Sequence, residues 1–149
     1  MTSIISGGND KLKELIPELE VYGHETDQCE GCTRFVSDGE EFLFDTITIQ
    51  CLLTPGHTQG HICYYLTVED QKIVFTGDIL FNGGAGRLFE GNAQDMYGSF
   101  QKLVALPAET EMYCGHEYTL SNYRFALSVD GTNADLLEVP HVYICLCVK

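Results

Sequence analysis

The sequence predicts one α/β domain in which strands and helices form layers. Two β-rich runs, 61–68 and 71–78, are separated only by a short polar turn, which is typical of a hairpin. Apolar residues recur at helical spacing in 93–106, a strand-like run follows at 110–117, and a second helical segment begins at 119. Strands therefore come first in pairs and then alternate with helices, which favours an α/β layered domain with functional loops at strand ends.

The first elements along the chain are a short helix and a short strand. The helix is predicted over 9–16, with Asn9 as its N-cap and Pro17 directly after it. Its apolar residues share one face: Leu12, Leu15 and Ile16. The strand is predicted over 19–23, and the polar stretch 24–41 is predicted to be a loop.

The strand before the hairpin and the helix after it have clear periodicities. In 45–53, apolar and polar residues alternate, which indicates a half-buried strand: Ile47, Ile49, Cys51 and Leu53 against Thr48 and Gln50. In 93–106 the apolar residues fall on one helical face: Met96, Phe100, Leu103 and Val104. Both elements therefore offer one face to a core.

Composition and charge exclude several classes of protein. The chain has 149 residues, 44% hydrophobic and 20% charged, which suits a single globular domain. A formal charge of −14 argues against nucleic acid and anionic membranes as partners. No apolar run approaches the ~20 residues of a membrane helix. The seven cysteines are irregularly spaced and odd in number, so we expect a reducing, cytoplasmic location, or a mitochondrial one if an import sequence has been lost.

Three strand ends carry side chains that bind metal ions. His57 follows the strand that ends near residue 53, Asp78 follows "KIVFTG", and His116 follows "EMYCG". Imidazole and carboxylate suit zinc or iron, and one carboxylate can bridge two cations. Capping and core roles are the alternatives for each residue, above all for His61, which opens an apolar strand.

Three longer segments agree on one family. "TPGHTQGHICYYL", "VFTGDILFNGGAGRLFEGNAQDMY" and "YCGHEYTLSNYRFAL" together resemble glyoxalase II, the hydroxyacylglutathione hydrolase family of the metallo-β-lactamase fold. The match runs from about residue 6 to about residue 133, and the tail 134–149 is atypical. The resemblance implies a single partial domain over 1–149, an incomplete αββα sandwich that lacks its N-terminal strands.

The resemblance also implies roles for particular residues. His57 would be a ligand of a first metal, His116 of a second, and Asp78 would bridge both and be the catalytic carboxylate. Zinc is the implied metal, with iron and manganese as alternatives. The implied substrate-binding residues are Arg87, Phe89 and Tyr118, whereas His61 is no ligand in the family.

The implied reaction is hydrolysis of a glutathione thioester, S-D-lactoylglutathione, to D-lactate and glutathione, with water activated by two metal ions. The family signature THxHxDH has no counterpart in this sequence. Because it supplies further ligands to both metals, its absence predicts little or no hydrolase activity for the chain alone.

Two other functions stay open. The first is a mononuclear iron persulfide dioxygenase, a branch that shares TPGHTxG and FTGD. The second is a non-catalytic protein that binds glutathione conjugates, or a second chain through an exposed sheet edge. Separately, Cys29 and Cys32 form "CEGC", for which half a zinc site, a redox pair and free loop thiols are the alternatives.

Overall fold

The computed structural model describes residues 8–138, and these form a mixed sheet with helices. The strands are β1 (Tyr22–Gly23), β2 (Arg34–Phe35), β3 (Glu41–Phe44), β4 (Ile47–Leu53), β5 (Ile62–Val68), β6 (Gln71–Gly77), β7 (Leu80–Phe81), β8 (Gly84–Ala85) and β9 (Glu111–Cys114). The helices are α1 (Asn9–Leu15), α2 (Ala93–Val104), α3 (Thr119–Val129) and α4 (Ala134–Glu138). The tail residues beyond 138, with Cys145 and Cys147, lie outside the described residues.

Five strands form the central sheet in the order β3-β4-β5-β6-β9. The strands β3 to β6 pair antiparallel, and the predicted hairpin of β5 and β6 is confirmed, with Val68 opposite Gln71. Its turn places Glu69 at a positive φ of 50°. The last strand, β9, pairs parallel with β6. The expected combination of paired strands and a later strand–helix alternation is therefore present.

This topology brings three strand ends to one edge of the sheet. Because β4 and β6 are both antiparallel to β5, they run in the same direction, and β9 runs with them. The residues after their carboxyl ends therefore meet at the same edge. A hydrogen bond of 2.7 Å from the Gly115 amide to the Gly77 carbonyl fixes the last two of these ends side by side.

Helix α2 covers one face of the sheet and forms the core with it. Asn92 caps the helix, accepting hydrogen bonds from the amides of Gln94 and Asp95, and the Asp95 carboxylate accepts one from the Asn92 amide in return. Met96, Phe100 and Leu103 pack on the sheet as the periodicity predicts, whereas Val104, predicted on the same face, is 78% exposed because it lies at the end of the helix. The core consists of Cys63, Val74, Ile79 and Leu103, with Leu52, Tyr65, Leu80, Met96, Phe100, Leu106 and Met112 packed against it.

The opposite face of the sheet is more exposed. Large apolar side chains there reach solvent: Phe44, Phe75 and Tyr113. A cavity of about 610 Å³ lies over this face, lined among others by Leu19, Phe42 and Leu66. Among residues 8–138, no helix is both long and apolar enough to cross a membrane.

The amino-terminal third differs from the sequence-based expectation. The N-cap of α1 is Gly8, not Asn9, because the Asn9 side chain instead donates a 2.8 Å hydrogen bond to the Glu30 carbonyl. The predicted apolar face of this helix is solvent-exposed. The predicted strand 19–23 is reduced to β1, and the predicted loop 24–41 contains β2, which pairs with β1. Two-residue strands carry too little periodicity to be recognised.

Candidate metal centre

Two imidazoles share one carboxylate oxygen at the edge where the three strands end. The Nε2 atom of His57 lies 3.6 Å from Oδ2 of Asp78, and Nε2 of His116 lies 3.3 Å from the same oxygen. The side chains of His57 and Asp78 are buried, whereas that of His116 is about half exposed. The structure thus brings together the three residues predicted as metal ligands.

The tautomer of His57 is set by a backbone carbonyl. Its Nδ1 lies 2.9 Å from the carbonyl oxygen of Arg87. A carbonyl can only accept, so Nδ1 carries the proton and donates. In the neutral imidazole the lone pair of Nε2 therefore points toward Asp78, the orientation of a metal-binding histidine whose other ring nitrogen bonds a backbone carbonyl.

The loop 86–91 closes over His57 by backbone contacts. The Gly86 amide bonds the Ile79 carbonyl at 3.1 Å, and the Phe89 amide bonds the His57 carbonyl at 3.2 Å. A Cβ atom on Gly86 would lie 1.6 Å from the carbonyl oxygen of Asp78, so only glycine permits this approach. These contacts therefore hold the segment that carries Arg87 close to both His57 and Asp78.

His61 supports the centre from behind. Its Nε2 accepts a 3.3 Å hydrogen bond from the Asp78 amide, so Nδ1 carries the proton and donates to Oγ1 of Thr54 at 2.8 Å. Burial, and then the neighbouring His57, lower the pKa of His61 to about 4. A neutral His61 therefore links the start of the His57 loop to the Asp78 backbone, in agreement with the supporting role predicted for it.

One anchoring residue was not predicted from the sequence. Asp27 accepts hydrogen bonds from the Thr58 hydroxyl at 2.5 Å and from the Gly60 amide at 2.7 Å. These two bonds attach the polar segment 24–32 to the loop that carries His57. Asp27 lies in a stretch without periodicity, 31 and 33 residues before its partners, so no local sequence signal indicates it.

The predicted substrate-binding residues lie beside the two imidazoles. The Phe89 ring meets the His57 ring edge to face at 4.8 Å, and the Arg87 guanidinium lies 5.7 Å from the centre of the Phe89 ring. On the other side of Asp78, the Tyr118 ring stacks on the His116 ring at 5.3 Å. One predicted aromatic residue therefore flanks each histidine.

The side chains around Asp78 are of the types that bind metal ions. Two Nε2 atoms face one carboxylate oxygen, and imidazole nitrogens and a carboxylate gathered in this way are the ligand types that a zinc ion takes. A Cβ on Gly115 would lie 2.5 Å from Oδ1 of Asp78, so a glycine is needed to leave room for the other carboxylate oxygen. Among residues 8–138, no cluster of three or more His, Cys, Asp or Glu side chains is a metal site by itself. The three residues are thus a partial ligand set.

Fold and centre together define an α/β protein with histidine and aspartate ligands gathered at one edge of its sheet. The family model described as the Metallo-beta-lactamase superfamily matches residues 22–116. The chain belongs to this superfamily, which implies a metal cofactor.

Two curated relatives carry the name that the sequence resemblance predicts. The chain is 47% identical over 137 residues to the cytoplasmic hydroxyacylglutathione hydrolase of Arabidopsis thaliana, covering 89% of this chain and 53% of the relative. It is 49% identical over 133 residues to the hydroxyacylglutathione hydrolase of Brucella ovis, covering 88% and 51%. The resemblance is therefore confirmed, and the chain spans about half the length of these relatives.

Solved structures confirm the fold class. ETHE1 from Myxococcus xanthus aligns with a TM-score of 0.64 at 32% identity, over 89% of this chain and 64% of that one. TTHA1623, crystallised in a di-iron-bound form, aligns with a TM-score of 0.60 at 28% identity, over 75% and 64%. The predicted α/β fragment of the metallo-β-lactamase fold is thus supported by structure as well as by sequence.

Proposed function

We propose that this chain carries part of the centre of a hydroxyacylglutathione hydrolase, which cleaves S-D-lactoylglutathione to D-lactate and glutathione. The observation that carries the proposal is the sharing of Asp78 Oδ2 by the Nε2 atoms of His57 and His116. The identity of 47–49% to relatives with this name supports it.

The proposed cofactor is a pair of zinc ions, with iron or manganese as alternatives. His57 and Asp78 would be ligands of one ion, and His116 and Asp78 of the other. Bound there, the metal would make a water molecule nucleophilic near neutral pH and stabilise negative charge on the thioester oxygen. The di-iron form of TTHA1623 supports iron as an alternative. A catalytic zinc usually has three protein ligands, so further ligands must complete each site.

The protein residues contribute orientation and selectivity. The Arg87 carbonyl keeps the proton of His57 on Nδ1, so that the lone pair of Nε2 is available to a metal ion beside Asp78. Asp78, as the carboxylate common to both imidazoles, is the proposed catalytic residue. The loop 86–91 lies against the buried His57 through backbone contacts, and the half-exposed His116 leaves the other side open for substrate.

The glutathione part of the substrate would bind beside these imidazoles. The exposed Arg87 offers a cation to a glutathione carboxylate on a chain whose net charge is −14, and Phe89 and Tyr118 offer ring faces. A cavity of about 280 Å³ beside Tyr118 is also lined by Arg124. Arg124 was not predicted, and it gives a second guanidinium near the proposed substrate.

The alternative functions keep weaker support. The alignment with ETHE1 gives weak support to an iron persulfide dioxygenase, because its 32% identity is well below the 47–49% of the hydrolases. A non-catalytic binder of glutathione conjugates, and self-association through the sheet edges β3 and β9, stay predictions. The expected cytoplasmic location is supported by the name of the Arabidopsis relative.

The test is hydrolysis of S-D-lactoylglutathione by the purified chain and by any longer protein that contains it, both loaded with zinc and followed by loss of the thioester. We expect turnover by the longer protein and little from the chain alone. In the active protein, Asp78→Asn should lower kcat by at least about 100-fold, since the shared ligand is lost. Asp70→Asn, at the exposed hairpin turn, is the matched control and should leave kcat unchanged.

Two outcomes would contradict the proposal. A zinc-loaded longer protein that does not hydrolyse the thioester would remove the assigned reaction. Iron-dependent oxygen consumption with glutathione persulfide, and no thioester hydrolysis, would favour the dioxygenase instead.

A further inference from the structure

The CEGC segment forms a tight turn that brings its two cysteines together. The Cys32 amide donates a 3.1 Å hydrogen bond to the Cys29 carbonyl, and Gly31 adopts a left-handed φ of +72° within the turn. Residues at the ends of such a turn have Cα atoms less than about 7 Å apart. Disulfides need a Cα separation of about 4.4–6.8 Å, so the turn is compatible with one.

The two sulfur atoms meet above a glycine. A Cβ on Gly23 would lie 2.6 Å from the Cys29 sulfur and 3.4 Å from the Cys32 sulfur, so both thiols point to the same spot on β1. Both cysteines are half-buried and line a cavity of about 600 Å³ that also contains Glu25 and Phe35. A small reagent can therefore reach the pair from solvent.

The surroundings of the pair favour dithiol chemistry over zinc binding. Within the described part of the chain, no third His, Cys, Asp or Glu joins the two sulfurs in a metal-binding cluster. Burial, and then the hydrogen bond with Cys32, raise the pKa of the Cys29 thiol to about 11. Zinc binding and disulfide exchange both require a thiolate, so it is the lack of further ligands that disfavours zinc, and exchange is expected to be faster at alkaline pH.

The turn is physically connected to the loop that carries His57. Asp27, two residues before Cys29, holds that loop through the Thr58 hydroxyl and the Gly60 amide. On its other side the turn is held by α1, where the Lys13 ammonium donates to the Gly31 carbonyl at 3.3 Å. A change in the stiffness of the turn can therefore directly affect the hydrogen bonds that Asp27 accepts from the His57 loop.

We propose that Cys29 and Cys32 form a reversible intramolecular disulfide, and that this bond tightens the hold of Asp27 on the His57 loop. The oxidant is a small-molecule disulfide such as oxidised glutathione. One thiolate attacks it, forming a mixed disulfide and releasing one thiol; the second cysteine then displaces the other. The oxidant gains two electrons and two protons, and the two cysteine thiols lose them. The inference does not depend on the proposed hydrolase function.

The experiment equilibrates the purified, metal-free full chain with reduced or oxidised glutathione at pH 8.5, followed by mass spectrometry and amide hydrogen exchange. We expect the oxidised chain to lose two hydrogens, with the new bond mapped to a peptide containing Cys29 and Cys32. Exchange at 58–60 should slow by about threefold or more, because a closed turn restricts opening of the Asp27 contacts.

Three variants separate the parts of the proposal. Cys32→Ser should stop at a mixed disulfide with glutathione and show no slowing at 58–60. Cys114→Ser, which changes another half-buried cysteine, should behave like the unchanged chain. Asp27→Asn should still form the disulfide but lose most of its effect on exchange. A stable mixed disulfide in the unchanged chain, or an internal disulfide without slower exchange at 58–60, would overturn the proposal.

Discussion

The two imidazoles around Asp78 are supported very differently. His57 has a side chain that is 8% exposed, a ring nitrogen bonded to the Arg87 carbonyl and a backbone carbonyl bonded to the Phe89 amide. His116 has a side chain that is 48% exposed and contacts the Phe81 and Tyr118 rings. Asp78 lies between them, itself buried.

The difference shows that one half of the centre is part of the protein core and the other half is part of its surface. On the His57 side, the contacts that orient the ligand also stabilise the fold. A substitution that removes such a contact therefore affects both metal binding and stability. On the His116 side, the ligand can move or be lost with little effect on folding. Variants of the two halves should therefore separate stability from metal binding.

The largest effect is expected from Gly86→Ala. The new Cβ would lie 1.6 Å from the Asp78 carbonyl oxygen, which is backbone and cannot rotate away. We expect a loss of about 3 kcal/mol or more in the free energy of unfolding, measured by denaturant unfolding. Gly98→Ala in α2 meets no atom within 4 Å and should be neutral or stabilising by up to about 1 kcal/mol. Equal stability of the two variants would show that loop 86–91 does not close on Asp78.

The second comparison is His57→Ala with His116→Ala. Removing His57 leaves a cavity and an unpaired Arg87 carbonyl, so we expect a loss of about 2–3 kcal/mol in the metal-free protein. Removing the half-exposed His116 should cost about 0.5 kcal/mol or less. Zinc binding, followed by calorimetry, should weaken in both. A similar loss of stability in the two variants would remove the distinction between the halves.

A smaller effect should come from the hydroxyl that joins α2 to the His57 loop. The buried Ser99 hydroxyl lies 2.7 Å from the Pro55 carbonyl, so Ser99→Ala should cost about 1 kcal/mol. Ser128 makes a comparable bond at 2.6 Å, but only within its own helix and at the surface. Ser128→Ala should therefore be close to neutral. Thermal unfolding of both variants measures the difference, and a loss in Ser128→Ala equal to that in Ser99→Ala would contradict it.

The same division explains what could be predicted from the sequence. The strands β4, β5 and β6 were predictable from the alternation in 45–53 and from two β-rich runs joined by a short turn, and the helix α2 was predictable from its helical period. The grouping of His57, Asp78 and His116 followed from their places at strand ends and from the motifs that contain them. Their meeting on one carboxylate oxygen required the parallel pairing of β6 with β9, which the pattern alone does not specify.

The contacts that hold the His57 side could not be predicted. The proton on Nδ1 of His57 depends on the carbonyl of Arg87, 30 residues away, and every residue type has a carbonyl. The Asp27 anchor lies in a stretch predicted only as a loop, and the same stretch contains β2, which pairs with β1. Such contacts arise from tertiary structure, so they cannot be predicted from the local periodicity of the sequence.

The smallest predicted effect is a pH dependence at the start of the His57 loop. Asp38 accepts hydrogen bonds of 2.8 Å from the Lys102 ammonium and from the Leu53 amide, and Lys102 also donates to the Leu53 carbonyl at 2.7 Å. Partial burial alone would raise the pKa of Asp38, but Lys102 and the Leu53 amide outweigh it and lower the pKa below its usual value.

Because the pKa of Asp38 is lower in the folded than in the unfolded chain, its contribution to stability is present above pH ~4 and disappears as the pH falls through the lowered value. The pair is half exposed, so we expect less than about 1 kcal/mol. Asp38→Asn and Lys102→Met should both be less stable than the unchanged chain at pH 6, with the differences shrinking below pH ~4. Denaturant unfolding across this pH range tests it. A difference that persists undiminished in acid would mean that packing of these side chains, not the charge of Asp38, stabilises the loop.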